Sequence, residues 1–249
     1  MIEGLMHAIN RDAIYPCPRD KAERIIALGE ELLQKSTDTR QRENAVQCLC
    51  YTYDGIGKEK ALYYADMGGN FHITREHLRS TILDGEEGIE ACQSYIMSLI
   101  HTAAMTASSM ISKTQFTHEE TIEAYTFAID ILKRLYSDDN VGFYAFDISY
   151  YYYCIALKYS DMNHTGKTLE ALEESCRYAI IEANLKDMDY TAPMVNRMKH
   201  KKSDTFKNYK GNACNLRLKA LEDKKFDFLR NEKVFKKIVS DLEQYAECV

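Results

Sequence analysis

The stretch DISYYYYCIALKYSDMNHTGKTLEALEESCRYAIIEA, residues 147–183, decides the fold. In its first half Ile148, Tyr152, Ile155, Ala156 and Tyr159 recur at steps of three and four, so they share one face of a helix. A polar run over 161–166 interrupts the pattern, and Leu169, Leu172, Cys176, Ala179 and Ala183 then resume it. Two amphipathic helices joined by a short polar connection bury such faces by folding back on each other. Four consecutive tyrosines, Tyr150 to Tyr153, point around a full helical turn and cannot all be core. Tyr152 fits the buried stripe, which turns Tyr150 and Tyr153 toward another surface.

Working outward, the same spacing predicts further helices. One covers about 19–35, with the stripe Ala22, Ile25, Leu32, Leu33 and with Pro18 suited to its first position. The next covers about 40–56, with Ala45, Leu49, Thr52 and Ile56, ended by Gly57. Short helices follow over 59–67, broken by the glycines at 68 and 69, and over 74–83. The longest covers 86–112, with one seam of Ile89, Cys92, Ile96, Leu99, Ala103 and Met110 and a second side of Tyr95, Ile100, Ala104 and Ile111. A helix apolar over so much of its girth needs neighbours on two sides. Thr117 and Glu120 form a capping box ahead of the stripe Ile122, Tyr125, Ile129, Leu132, Tyr136. Residues 185–212 are less regular. A helix near 213–222 and a closing helix with Phe235, Ile238, Leu242 and Tyr245 end the chain. Strand-like alternation is scarce, and no proline lies between Pro18 and Pro193. The expectation is an all-α fold, a superhelix of antiparallel helix hairpins. It forms one domain over 1–249, with an irregular arm at 1–18 and capping helices over 213–249.

Net charge is −6 and the sequence pI about 5.7, which argues against gripping nucleic acid through this chain alone. No apolar run is long enough to span a membrane, and the N-terminus lacks a basic segment followed by an apolar one. The eight cysteines form no C-x-x-C pair, and Cys48, Cys92, Cys154 and Cys176 fall in or beside apolar faces. Reduced thiols in a cytoplasmic chain are the expectation.

Linear motifs for chemistry fail on inspection. Gly166, Lys167 and Thr168 imitate the end of a P-loop, but Asp161 stands where the first glycine belongs, and a helix precedes it rather than a strand. His118 and Glu119 open H-E-x-x-H, but Ile122 replaces the second histidine. His72 and His77 are poorly spaced for one helical face, and Cys48 and Cys50 point to different faces. Glu86–Glu87 and Glu173–Glu174 read as solvated helix faces, and the basic run from Arg197 to Lys202 as a solvated loop. No catalytic residue, metal site or cofactor is expected, and the chain is read as non-enzymatic.

Internal repetition is present but weak. The segment TIEAY at 121–125 resembles TLEAL at 168–172, and each opens the second helix of a hairpin. Tyr152, Ile155, Ala156, Tyr159, Thr168, Leu172 and Ser175 fall at the large and small packing positions of a tetratricopeptide repeat. Leu49, Ala61, Ala65 and Gly68 match less fully, with Thr52 in place of the usual aromatic. Together with the stretches 48–53, 83–88 and 226–230, with Cys92 and Gln93, with 190–193 and Asn196, and with Phe235, this resembles the C-terminal tetratricopeptide-like half of XRE-type helix-turn-helix regulators of Gram-positive bacteria. The resemblance spans about residues 20–245. It implies a sensor and dimerisation module, some members of which bind short signalling peptides on the concave face. The family's DNA-binding helix-turn-helix has no counterpart ahead of Pro16, so DNA contact is expected only through such a domain outside this chain. A homodimer with a peptide or protein ligand is the implied assembly; a stand-alone adaptor for protein partners is the alternative. Tyr150 and Tyr153, with Gln47, Gln93 and His101 on the inner helices, are the expected groove residues. Tyrosine offers apolar area with one polar tip, and amide side chains pair with the backbone of an extended peptide. Packing against a neighbouring helix is the competing explanation for the two tyrosines.

Overall fold

A computed structural model describes residues 19–69, 74–113, 115–137, 139–201 and 211–247. The expected N-terminal arm, Pro18, His72 and Lys202 lie outside the described residues. The described chain is all-α apart from two strands of two residues each. It divides into two compact units, Met1–Thr74 and Arg75–Val249.

The first unit holds α1 (Arg19–Lys35), α2 (Thr39–Asp54) and α3 (Lys58–Ala65). Asp38 caps α2 by accepting the Gln41 N–H. Leu49, Tyr53, Ala61 and Tyr64 form the core, with Ala22, Ile25 and Leu32 buried along α1. Gly29 makes the α1–α2 approach possible: a Cβ there would sit 2.8 Å from Leu49 Cγ. The Tyr53 and Tyr64 rings stack, and both hydroxyls donate to Glu30. Ile56 is not part of the α2 stripe. The helix stops at Asp54 with Gly55 as its cap, which leaves Ile56 in the following turn and 58% exposed.

The second unit runs α4 (Arg75–Ile82), α5 (Gly85–Met110), α6 (His118–Leu135), α7 (Ala145–Asp161), α8 (Thr165–Ala183), α9 (Ala213–Ala220) and α10 (Lys233–Tyr245). Strands β1 (Met188–Asp189) and β2 (Lys199–His200) pair antiparallel in the irregular region. The α6 capping box forms as expected, Glu120 N–H donating to Thr117 Oγ1 and Thr117 N–H to Glu120. Thr121 and Thr168 are both buried, and each hydroxyl donates to the carbonyl four residues back, Thr117 and His164 respectively. The two similar segments thus occupy equivalent places at the start of α6 and α8.

Helices α7 and α8, joined by three residues, make the most extensive helix pairing. Ala145, Ala156, Ala171 and Ala179 are buried, and Ser149 and Ser175 meet where the helices cross. Each serine hydroxyl donates to the other's backbone carbonyl at 2.8 Å. The C-terminal helices close on this pair. Glu182 accepts the Ala213 N–H, Asn212 caps α9 and reaches the Tyr245 carbonyl, and Ser160 donates to the Lys225 carbonyl. Phe226, Leu229, Phe235, Ile238 and Leu242 complete the core, while Tyr245 is exposed.

The long helix α5 departs from expectation in part. Ile89, Cys92 and Met110 are exposed; the seam facing the core is Gln93, Met97, Ile100, Ala104, Ala107 and Ile111. Of the two expected sides, the second supplies Ile100, Ala104 and Ile111 and the first supplies Ile96, while a polar Gln93 stands within the seam.

Replacing Ser175 by Ala is expected to lose about 1 kcal/mol, one hydrogen bond at constant packing. Ser175→Leu is expected to lose more than about 3 kcal/mol, since a branched side chain forces α7 and α8 apart. Urea denaturation of the two variants checks both.

Candidate functional site

The four consecutive tyrosines enter four environments. Tyr152 stacks on Tyr178, and Lys133 lies over both rings and donates to the Tyr152 hydroxyl. Tyr151 is buried against Tyr125 of α6. Tyr153 packs on Phe226. Tyr150, at the middle of α7, remains 41% exposed.

Tyr150 and Tyr153 share one partner, Arg217 of α9. Its guanidinium lies 4.9 Å from the Tyr153 ring centre and 5.6 Å from that of Tyr150, and the residue is buried. Aromatic faces attract a weakly hydrated guanidinium, which is how an arginine is accommodated in this wall. On the other flank the Tyr125 and Tyr150 hydroxyls lie against the Cys154 thiol. The Cys154 neighbour, followed by burial, pushes the Tyr150 phenol up to about 12; burial raises the thiol as well. Both groups stay protonated at neutral pH and act as hydrogen-bonding, not ionic, surface.

One turn toward the N-terminus on the same face of α7 lies Asp147, half-buried and near enough to Tyr144 and Tyr151 for its charge to raise both phenols. The Tyr144 ring also packs on His101 of α5, centres 4.5 Å apart. Burial alone pushes the Asp147 carboxyl up to about 6, and burial lowers the His101 imidazole. Among the described residues Asp147 has no hydrogen-bond or ion-pair partner.

The expected groove residues therefore separate. Tyr150 and Tyr153 come together, and His101 lies near the same helix. Gln47 is exposed on α2 in the first unit. Gln93 is buried and used by the chain itself: its Nε2 donates to the Pro193 carbonyl and to Asn196 Oδ1, and its Oε1 accepts the Arg197 N–H at 2.7 Å. With both donors engaged, this amide pins the segment 190–197, reinforced by the Arg197–Glu86 ion pair. Tyr190, Ala192 and Val195 of the segment enter the core. Gly142, at φ +53°, permits this, since a Cβ there would collide with the Tyr190 hydroxyl. The basic run is in part neutralised, Arg197 by Glu86 and Lys199 by Asp189, and His200 is buried.

Sequence reasoning missed Asp147 and Arg217. Asp147 was legible as a carboxylate three residues before Tyr150 on one helical face. Arg217 gave no signal, because only the fold brings α9 to α7. No group of three or more potential metal ligands occurs among the described residues, and no described helix is long and apolar enough to cross a membrane. Compared with known proteins, the chain matches no family model, no curated protein and no solved structure.

Two outcomes follow from the polar pairings. Asp147 holds its proton to a higher pH in the folded chain than unfolded, so its ionisation lowers stability as pH rises from about 4 to about 6. Asp147→Asn is expected to stabilise the ligand-free protein by about 1–3 kcal/mol at pH 7.5, with the gain vanishing near pH 4, in urea titrations at both pH values. Gln93→Ala is expected to cost about 2–3 kcal/mol and to open Arg197 and Lys199 to trypsin, read by limited proteolysis.

Proposed function

We propose that the chain is a non-catalytic, tetratricopeptide-like recognition domain whose α7–α9 wall takes a peptide or protein ligand. In this reading it is the sensor part of a cytoplasmic, homodimeric transcriptional regulator that reaches DNA through a separate helix-turn-helix domain. The observation that carries the binding reading is Tyr150. It lies midway along a helix otherwise largely buried, exposes its ring, and is backed by Arg217 and flanked by Tyr153. A rigid aromatic with a polar tip beside a cation offers apolar contact and hydrogen bonding together, as recognition surfaces do. The sensor role rests on the resemblance in the packing positions. Ligand acts there by population shift, favouring one dimer arrangement over another.

The adaptor reading is favoured by a different observation, the exposed Tyr51, Ile56, Leu62 and Tyr63 of the first unit. Peptides secreted by the source organism separate the two: a sensor changes its melting temperature or oligomeric state with one of them, and an adaptor does not. For a peptide so found, Tyr150→Ala is expected to weaken binding at least tenfold, about 1.4 kcal/mol, by calorimetry, with little change in folding stability. Unchanged affinity would remove the α7 wall from the binding surface.

A further inference from the structure

Positive charge is gathered near the C-terminal end of this acidic chain. Residues 197–237 hold 14 of the 32 Lys and Arg but 5 of the 38 Asp and Glu. Within them, 217–237 has eight basic residues against four acidic, drawn together by turns. The Glu222 N–H donates to the Lys219 carbonyl, the Phe226 N–H to that of Asp223, and the Glu232 N–H to that of Leu229. The Arg230 guanidinium reaches back to the Glu222 carbonyl at 3.2 Å and closes the connection between α9 and α10. The end of α9 and the start of α10 are thereby brought together. Lys225 pairs with Asp161 and Arg230 with Asp227. Lys219, Lys224, Lys233 and Lys236 are exposed and have no ion-pair partner among the described residues.

The charges of α10 run against its dipole. Lys233, Lys236 and Lys237 stand in its first five residues, no acid stands in its first turn, and Asp241 and Glu243 follow toward its C-terminal end. Helix α6 has the ordinary arrangement, with Glu119 and Glu120 at its start and Lys133 and Arg134 at its end. The reversed order is unfavourable to the helix itself, and it gathers positive potential where α9 and α10 meet. On the same connection Phe228 is 46% exposed, while Phe226 and Leu229 on either side of it are fully buried. Those two anchors hold the ring out among the lysines.

We infer that this surface, Phe228 with Lys219, Lys224, Lys233 and Lys236, docks on an anionic lipid bilayer. Lysines meet the headgroups as mobile point charges, and a ring held out among them enters the boundary between headgroup and acyl chain. Segregated charge orients the chain, since the acidic remainder is repelled by the surface that attracts the lysines. A single strand of nucleic acid fits less well. It asks for several rings along a basic groove, and Phe228 is the one exposed ring of 217–237. One ring and a few lysines give a reversible contact that salt breaks. The contact stands apart from the α7 wall and from any ligand held there.

The chain has no tryptophan, so Phe228→Trp places a single fluorescent reporter on this surface. With vesicles of phosphatidylcholine and about 30% phosphatidylglycerol in low salt, its emission is expected to shift to the blue and to be quenched by lipids brominated on the acyl chain. Phosphatidylcholine alone is expected to do neither, and about 0.5 M salt to reverse both. Cosedimentation with the anionic vesicles reads the same contact without the reporter. The double variant Lys233→Gln/Lys236→Gln is expected to lower the partition coefficient about tenfold and Phe228→Ser about fivefold, while Lys58→Gln in α3 leaves it unchanged. All of these side chains are exposed, and circular dichroism checks the fold of each variant. Equal partition of the wild type onto the two kinds of vesicle overturns the inference. So does a lysine double variant that binds as the wild type does, or binding that leaves the emission of Phe228→Trp unchanged. A single-stranded oligonucleotide bound more tightly than the anionic vesicles, with the same loss in the lysine double variant, overturns the bilayer and assigns the surface to nucleic acid.

Discussion

Everything in the second unit is positioned by the crossing of α7 on α8, where two serine hydroxyls exchange hydrogen bonds with each other's backbone carbonyls. Such an exchange is possible only when two helix backbones approach closely, which requires small residues throughout the contact. Ala145, Ala156, Ala171 and Ala179 provide them. The polar groups cost little there because each finds a partner in the other helix. With this crossing set, the rotation of α7 about its own axis is set too. Rotation decides which tyrosine of the four goes where.

The consequence is a division of labour along one turn of helix. Tyr152 is taken into a closed ionic and aromatic network: Lys133 over its ring, Tyr178 stacked on it, and Tyr178 donating to Asp139. Arg177 is tied to both Asp139 and Glu174. The neighbours of Asp139 hold its carboxyl below the ordinary range against the effect of burial, and Arg177 is kept charged by Glu174 first and Asp139 after it. Charges that satisfy one another in this way leave nothing for a ligand to complete. Tyr150, by contrast, keeps an open ring beside Arg217.

How much of this was legible depends on where the relevant partner lies. The stripes of α6, α7 and α8 were readable because each is apolar on one side and polar on the other, and helical period then fixes the face. In α5 the same method found two apolar sides; the second, with Ile100, Ala104 and Ile111, faces the core, while Ile89, Cys92 and Met110 of the first are exposed. Apolar residues surround that helix, and the residue that marks its buried face is Gln93, whose partners lie about one hundred residues later at Pro193, Asn196 and Arg197. Periodicity does not register a polar residue buried by a distant loop. The same blindness removed Arg217, which belongs on the surface by residue type and is buried because two phenol rings receive it.

Gln93 and Asp147 show how a polar residue facing the interior is to be read. Each lies on a first helix of a hairpin, but Gln93 is buried and Asp147 only half-buried. The chain sends a whole segment to satisfy Gln93, with three hydrogen bonds and an ion pair behind them. An amide that is fully enclosed obliges the fold to supply its partners. Asp147, in the first turn of α7, keeps part of its surface in solvent, and its carboxyl is raised by burial without a fastening role in the chain. The extent of burial, and not polarity alone, therefore decides which residue the fold must answer: Gln93 is an internal fastener, and Asp147 is not.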